Sequence, residues 1–316
     1  MLNRISAENK PIVISAMFIV VILMAGTAYT VSTAGTAPLL SPNYLLQQLQ
    51  TGAFLGICAA GMMMVILLGN IDLSIPWTLA AAAMMATAVG GSLAVPTALA
   101  VGLAVGLVNG IGVAYLRIPS MIFTLGVDTV LRGLMVAHTG GFAPQDAATP
   151  LMLFLAKEDI LGIPAAIFVW AAVSLVIFGI LTRTGFGRAL YATGSREGAA
   201  FLSGIRTRLV IVGAFVMSGL CASLAGVLLT GYSAKAYQGM GNAFLLPAIA
   251  AVVLGGTHIL GGRGRYVGTL IGVILIVLLN SVLSIMQMPE AGRQIIYGAV
   301  IIGMLLVYGR NARVTS

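Results

Sequence analysis

The sequence predicts an all-α, polytopic membrane protein of about ten transmembrane helices, with both termini in the cytoplasm and broken helices near two glycine-rich motifs. Three observations predict it. Hydrophobic residues make up 59% of the 316 residues and charged residues only 8%, against roughly 25% charged in an ordinary soluble domain, and the mean hydropathy is +1.08. Apolar runs long enough to cross a bilayer recur along the whole chain. Basic residues gather in alternate loops, the mark of the cytoplasmic side of a membrane protein. A soluble reading would require a core with almost no polar surface.

The runs lie at about 11–32, 47–68, 74–91, 95–116, 120–138, 163–182, 209–231, 243–260, 266–287 and 293–309. The first follows Arg4 and Lys10 and is longer than the core of a cleaved signal peptide, so it reads as a retained helix. The third and fourth are joined by a Gly-Gly-Ser turn at Gly90 to Ser92. With the N-terminus inside, the cytoplasmic loops and termini collect Arg4, Lys10, Arg117, Arg183, Arg188, Arg196, Arg206, Arg208, Arg263, Arg265, Arg310 and Arg313. The other side and the spans hold Arg132, Lys157, Lys235 and Arg293, with Asp146, Glu158, Asp159 and Glu290 outside. An odd number of spans would spoil that bias. The chain, 1–316, is read as one transmembrane domain.

A net charge of +8 and a pI near 9.9 are explained by this topology. Nucleic-acid binding would need the charge clustered with exposed aromatics, and no such cluster occurs. Cys58 and Cys221 both fall inside apolar runs as small hydrophobes, without metal-ligand spacing. No metal, cofactor or catalytic residue is expected.

The longest cytoplasmic loop, about 183–208, is basic yet patterned as helix. Ala189 to Ala192 form a first turn or two, Gly194 and Ser195 break it, and Glu197 to Leu202 form a second short helix. Ser195 is placed to cap that helix and Glu197 to meet the positive end of its dipole, and Gly204 stops it. Phe201 and Leu202 are apolar in a polar loop, which leaves two readings open: a linker that anchors topology, or a docking element.

Polar groups inside spans are the other candidates. In GNIDLSIP, from Gly69, Asp72 is either a functional ionisable group or a cap for the third span near Ser74, just inside the cytoplasm; the cap is favoured for its side chain, with the motif near a translocation path. LGGTHILGGRGR, from Leu254, is a second glycine-rich break after an apolar run. It suggests an internal repeat whose discontinuous helices line a path, with Gly255, Gly256, Gly261 and Gly262 allowing close backbone approach. His258 could sense protons or bind metal, but it stands alone and a structural role is favoured. Asp128 and Arg132 are spaced to pair along one helix face, as a structural ion pair or as part of a path. Asn109, Thr124, Asn280 and Ser281 are expected to join helices or to meet a polar solute.

Four stretches in order, GNIDLSIP, GLVNGIGVAYLRIPSMIFTLG from Gly106, GRALYATGSREGAAFLSGI from Gly187 and VVLGGTHILGGRGRYVGTLIG from Val252, resemble the membrane permease subunits of bacterial ABC importers for ribose, xylose, arabinose and autoinducer-2. The resemblance runs from about residue 45 to Arg310. It implies an inner-membrane, multi-pass permease that works as a homodimer or with a close paralogue, served outside by a sugar-binding protein and inside by a separate ATPase. No G-x-x-x-x-G-K-[ST] phosphate loop occurs in this chain. By the resemblance, Gly187, Arg188, Gly194, Arg196, Glu197, Ala199, Ala200, Phe201 and Gly204 form the loop that couples to the ATPase. Arg196 departs from the family's polar amide, and His258 from its small hydroxyl residue. Arg132 matches a family position and Asp128 does not.

The function so implied is inward transport of a monosaccharide or similar small polar solute, with translocation-path candidates Asp72, Asn109, Thr124, Asp128, Arg132 and Asn280. An ion-coupled secondary transporter is the alternative, with Asp72, Asp128 and Arg132 as its coupling groups. A membrane-embedded enzyme is a second, weaker rival, without an H-E-x-x-H motif, a G-x-S-x-G elbow or a clustered His and acid pair to support it.

Overall fold

The structure is a computed structural model that describes residues 10–142, 144–299 and 302. Its helices are α1 (Lys10–Ala34), α2 (Pro42–Ile66), α3 (Ile75–Val89), α4 (Ala94–Ala114), α5 (Ser120–His138), α6 (Pro150–Lys157), α7 (Ala165–Arg183), α8 (Gly185–Ser195), α9 (Glu197–Leu202), α10 (Thr207–Ser233), α11 (Leu245–Leu254) and α12 (Tyr266–Ile285). Among the described residues, seven helices are long and apolar enough to cross a membrane. α3 and α11 are shorter apolar helices. The last expected run, 293–309, is helical within 290–299 and otherwise lies almost wholly outside the described residues, as do Arg4, Arg310 and Arg313.

α2, α10 and α12 bury most of their surface, whereas α1, α4, α5 and α7 expose most of theirs. The bundle thus has a protein-facing centre and a rim whose exposed apolar side chains, such as Phe18, Val130 and Leu175, suit lipid. Following the helices from end to end sorts the charges. Arg117, Arg183, Arg188, Arg196, Arg206, Arg208, Arg263 and Arg265 fall at one end, called the basic end below; Asp146, Lys157, Glu158, Asp159, Lys235 and Glu290 fall at the other. At that acidic end the long connection before α7 carries α6, capped by the Thr149 hydroxyl, and a two-residue hairpin of β1 (Asp159–Ile160) with β2 (Ile163–Pro164). α6 and all of the hairpin but its second strand lie between the apolar runs at about 120–138 and 163–182, where the sequence predicts no span.

The two glycine-rich breaks differ from expectation in order. The first follows a long helix and precedes a short one, α2 then α3; the second follows a short helix and precedes a long one, α11 then α12. Residues 67–74 rise from the basic end to the middle of the bundle, where α3 begins, and Gly241 of the segment before α11 packs against Pro76 at that same level. α11 then descends until Gly255 packs on the backbone of Gly268 near the start of α12. Both half-helices therefore start at mid-depth, as discontinuous helices of transporters do.

The largest helix pairing, α4 on α10, is made by glycine. Gly102, Gly106 and Gly110 form one stripe at i, i+4 and i+8, and a Cβ on each would meet the Gly219, Phe215 and Val212 backbone. Without an aqueous phase to drive helices together, such close backbone approach supplies the dispersion contact that holds them. Gly106→Ala would set a methyl 2.6 Å from the Phe215 carbonyl oxygen, and is expected to cost about 1–3 kcal/mol as overpacking. Gly179→Ala on lipid-facing α7, where nothing lies within 4 Å, is the control. Thermal unfolding in detergent should lower the midpoint of the first and leave the second unchanged.

Candidate functional site

Two sets of residues stand out, one at mid-bundle and one at the basic end. At mid-bundle the amides of residues 71–74 and of the first turn of α3 have no helical carbonyl to bond, and such groups must be paired inside a membrane protein. α5 does so with a polar stripe. Ser120 Oγ accepts from the Ile71 amide at 3.3 Å, Thr124 Oγ1 from the Leu73 amide at 2.9 Å and Asp128 Oδ1 from the Trp77 amide at 3.2 Å. Trp77 lies in the first turn of α3, so the Asp128 carboxylate also meets the positive end of that helix.

Asp72 completes the clasp. Its Oδ1 accepts from the Ser74 amide at 3.0 Å and the Ser74 hydroxyl at 2.6 Å, and its Oδ2 from the Ser218 hydroxyl at 2.7 Å. The Asn109 amide donates to Ser74 Oγ at 2.7 Å. Asp72, Ser74, Asn109, Thr124 and Ser218 are all essentially fully buried.

Several expectations are corrected here. Asp72 does not sit just inside the cytoplasm, because Ser218, its partner, is near the middle of α10. It does serve the start of the third span, but by a turn onto Ser74 two residues on rather than by capping the first helical turn. Asp128 and Arg132 do not pair: among the described residues the ion pairs are Arg117–Glu197 and Arg293–Glu290. Both turn to Trp77 instead, Asp128 to its amide and Arg132 to its ring at 6.0 Å, so the carboxylate serves a helix-terminal amide that would otherwise be unpaired. Asn280 lies apart, near the acidic end, where its Oδ1 accepts from Arg293 at 2.9 Å. Sequence reasoning missed Ser74, Trp77, Ser120 and Ser218, although Ser120, Thr124 and Asp128 recur every four residues and so share one helix face.

At the basic end α8 is wedged under the bundle. Gly187 packs on the Ile180 and Leu181 carbonyls, and Gly194 on the Leu67 carbonyl. The Gly262 amide donates to that same carbonyl at 2.9 Å. Gly69 and Gly261, both at positive φ, face each other across the same point, so the loop and both glycine-rich breaks meet there. Tyr191 donates to the Gly264 carbonyl at 2.9 Å, and burial raises its phenol above the ordinary value, keeping the donor protonated. Burial and then Arg263 lower the His258 imidazole below its usual value.

α8 runs through Gly194 and Ser195, so these do not break the loop; the break is Arg196, in extended conformation. α9 starts at Glu197 as expected, with no side-chain cap. Ser195 does not cap it, because it is still helical. Gly204 takes φ 84° just beyond α9. Glu197 pairs with Arg117 at 2.7 Å, Ala200 is buried, and Phe201 and Leu202 are 67% and 87% exposed. Arg188, Arg196 and Ala199 are exposed too. A groove of about 760 Å³ runs between α9 and the start of α10, lined by Tyr115, Arg117, Phe201, Arg206 and Arg208 among others.

The family described as the permease component of the branched-chain amino acid transport system matches residues 44–305. The chain belongs to this family. The permease is 36% identical over 281 residues to the ribose import permease protein of Escherichia coli (strain K12), covering 85% of this chain and 88% of that one. It is 36% identical over 274 residues to the Bacillus subtilis (strain 168) protein of the same name, covering 85% of each. Against the autoinducer 2 import system permease protein of Salmonella choleraesuis (strain SC-B67) it is 33% identical over 276 residues, covering 86% of this chain and 79% of that one. No solved structure matches. The helices and the relatives together make the chain a multi-pass membrane transport protein of the permease type.

The clasp has a stability signature. Thr124→Val keeps shape but strands the buried Leu73 amide, and is expected to cost about 1–2 kcal/mol. Asp72→Ala strands three donors and is expected to cost more than Thr124→Val. Unfolding midpoints in one detergent, with Thr129→Val on the exposed side of α5 as reference, check the order.

Proposed function

We propose that the chain is the membrane permease subunit of an ATP-driven importer that carries a monosaccharide or related small polar solute into the cytoplasm. The names of its relatives, ribose import and autoinducer 2 import permease proteins, support the solute class. The observation that carries the mode of action is the arm of α8 and α9: its root is wedged between both glycine-rich breaks, and its tip presents Phe201 and Leu202 uncovered. A separate cytoplasmic ATPase docks on that tip, with Glu197, Ala199 and Ala200 at the contact. A second permease subunit, identical or paralogous, and an extracytoplasmic binding protein complete the importer.

The bias of arginine supports a basic end in the cytoplasm of a bacterial inner membrane, hence ten spans with both termini inside. Asp72 spends both its oxygens on backbone and hydroxyl donors and Asp128 one of its two on the Trp77 amide, which suits a structural clasp better than the proton or ion coupling of a secondary transporter. Asp72, Asn109, Thr124, Asp128 and Arg132 then border the path by fixing its broken helix rather than by binding solute.

The test is what travels with the chain. Purified from native membranes in mild detergent, the tagged permease is expected to bring a Walker-motif ATPase. Phe201→Asp combined with Leu202→Asp should cut that recovery about tenfold or more, as loss of roughly 1.4 kcal/mol or more of contact would, without moving the unfolding midpoint, since both side chains are exposed. A permease that arrives alone, under conditions that keep other membrane complexes intact, would overturn the reading.

A further inference from the structure

Positive charge at the basic end is spread over several loops, yet three arginines converge on one groove. Arg117, Arg206 and Arg208 line the groove of about 760 Å³ between α9 and the start of α10, and Glu197 is the one carboxylate of its wall among the described residues. Glu197 is already engaged, by Arg117 at 2.7 Å and by the Thr207 hydroxyl at 3.3 Å. Arg208 lies over the Tyr115 ring at 5.4 Å, a contact that brings no counter-ion. Arg206 and Arg208 make no ion pair among the described residues.

Two features of this groove are costly as they stand. Arg117 holds φ 56°, in the left-handed region that strains a residue other than glycine. Arg206 is the N-cap of α10 and Arg208 the second residue of its first turn, where the helix dipole is positive and disfavours cations. Both costs fall on arginines of the same groove, and an anion between them would offset the like charges and the dipole together. Membrane topology accounts for arginine at this end, but Arg183, Arg188 and Arg263 satisfy that bias from outside the groove.

The adjoining surface selects the anion. On α4, Ala104, Val108, Ile111 and Tyr115 are all exposed. At i, i+4, i+7 and i+11 they form one straight stripe, which ends in the groove at Tyr115. At ~1.5 Å per residue the stripe is about 16 Å long, close to half of the roughly 30 Å hydrocarbon core of a bilayer. Leu209, also exposed, adds apolar surface to the groove wall. An acyl chain laid along the stripe thus delivers its phosphate to the arginines. A soluble anion would leave the stripe unused, and an acidic protein segment would meet only the groove.

We propose that this groove binds the phosphate headgroup of an anionic membrane lipid from the leaflet at the basic end. Arg206 and Arg208 are its main contacts, Arg117 is the third, and an acyl chain lies along α4. The bound lipid ties the turn between α4 and α5 to the start of α10. This needs only the chain and a membrane, so it stands apart from the importer reading.

The test uses the whole chain, purified in a neutral detergent and washed free of lipid. Native mass spectrometry counts bound lipid, and the unfolding midpoint is read alongside. Phosphatidylglycerol is expected to bind and to raise the midpoint, whereas phosphatidylcholine and inorganic phosphate at the same concentration are not. Arg206→Gln combined with Arg208→Gln should weaken phosphatidylglycerol binding about tenfold or more, the loss of two charged contacts. Arg183→Gln combined with Arg263→Gln, an equal loss of charge outside the groove, should leave binding unchanged. Arg208→Gln alone, with a loss of about threefold to fivefold, carries the same test if the groove pair prevents folding. Undiminished binding by the groove variants, or equal loss in the two double variants, would overturn the site. A rise in midpoint with inorganic phosphate equal to that with phosphatidylglycerol would overturn the lipid in favour of a soluble anion. Failure of phosphatidylglycerol to bind the wild type would overturn the proposal, and loss of a co-purifying ATPase from the folded groove variant would then assign the arginines to a protein contact.

Discussion

Backbone meets backbone where Gly194 lies on the Leu67 carbonyl and Gly262 donates to that same oxygen. No side chain stands between these segments to yield, and a close-packed contact of this kind transmits displacement rather than absorbing it. From this point residues 67–74 climb to mid-bundle, and from the same point residues 261–265 lead into α12. A shift of α8 therefore moves the roots of both half-helix connections together. Any substitution at Gly194 would place its Cβ into the Leu67 carbonyl, so the contact demands glycine for space rather than for backbone angle.

The polar groups around Asp72 set the energetics of the break. The Ile71, Leu73, Ser74 and Trp77 amides each have a side-chain acceptor, and leaving one unpaired costs about 1–3 kcal/mol; such a region resists opening. Three of those four acceptors, Ser120, Thr124 and Asp128, stand on α5, so the position of the break is tied to that helix.

Much of this was legible in the sequence. Hydropathy located the seven helices long enough to cross a membrane but drew α3 and α11 as full spans where they are short, and the arginine bias sorted the two ends, because both depend on composition over long windows. The α9 boundaries followed from Glu197 and Gly204. The Gly102, Gly106 and Gly110 stripe and the Ser120, Thr124 and Asp128 stripe were present as four-residue spacings, readable in hindsight from helical geometry alone. What could not be read was depth and partnership. Asp72 looks like a surface cap beside a span start, and only the short α3, starting at mid-bundle, carries it inward. Asp128 and Arg132 have the spacing of an ion pair, yet the free amide of Trp77 on another helix competes for the carboxylate, and sequence holds no record of that neighbour. Ser195 had the residue type of a cap, but α8 continued through it because Gly194 is packed, not flexible.

The tip of the arm is held far less firmly than its root. The Arg117–Glu197 pair is about half exposed on the arginine side and 38% exposed on the glutamate side, and exposed pairs are worth roughly 0–1 kcal/mol. Covering a side chain such as Phe201 or Leu202 is worth about 1.5–3 kcal/mol each. A partner that buried both would outweigh the ion pair, and could turn α9 about the extended Arg196 without loosening the glycine contacts of α8. Arg117 lies just before Ser120, the first residue of the α5 stripe, so its pair with Glu197 links α9 to the turn that leads into α5, while Thr207 at the start of α10 donates to the same carboxylate oxygen. A stiff root with a weakly tethered tip is therefore the arrangement that the proposed docking on α9 would need in order to reach the break through Gly194.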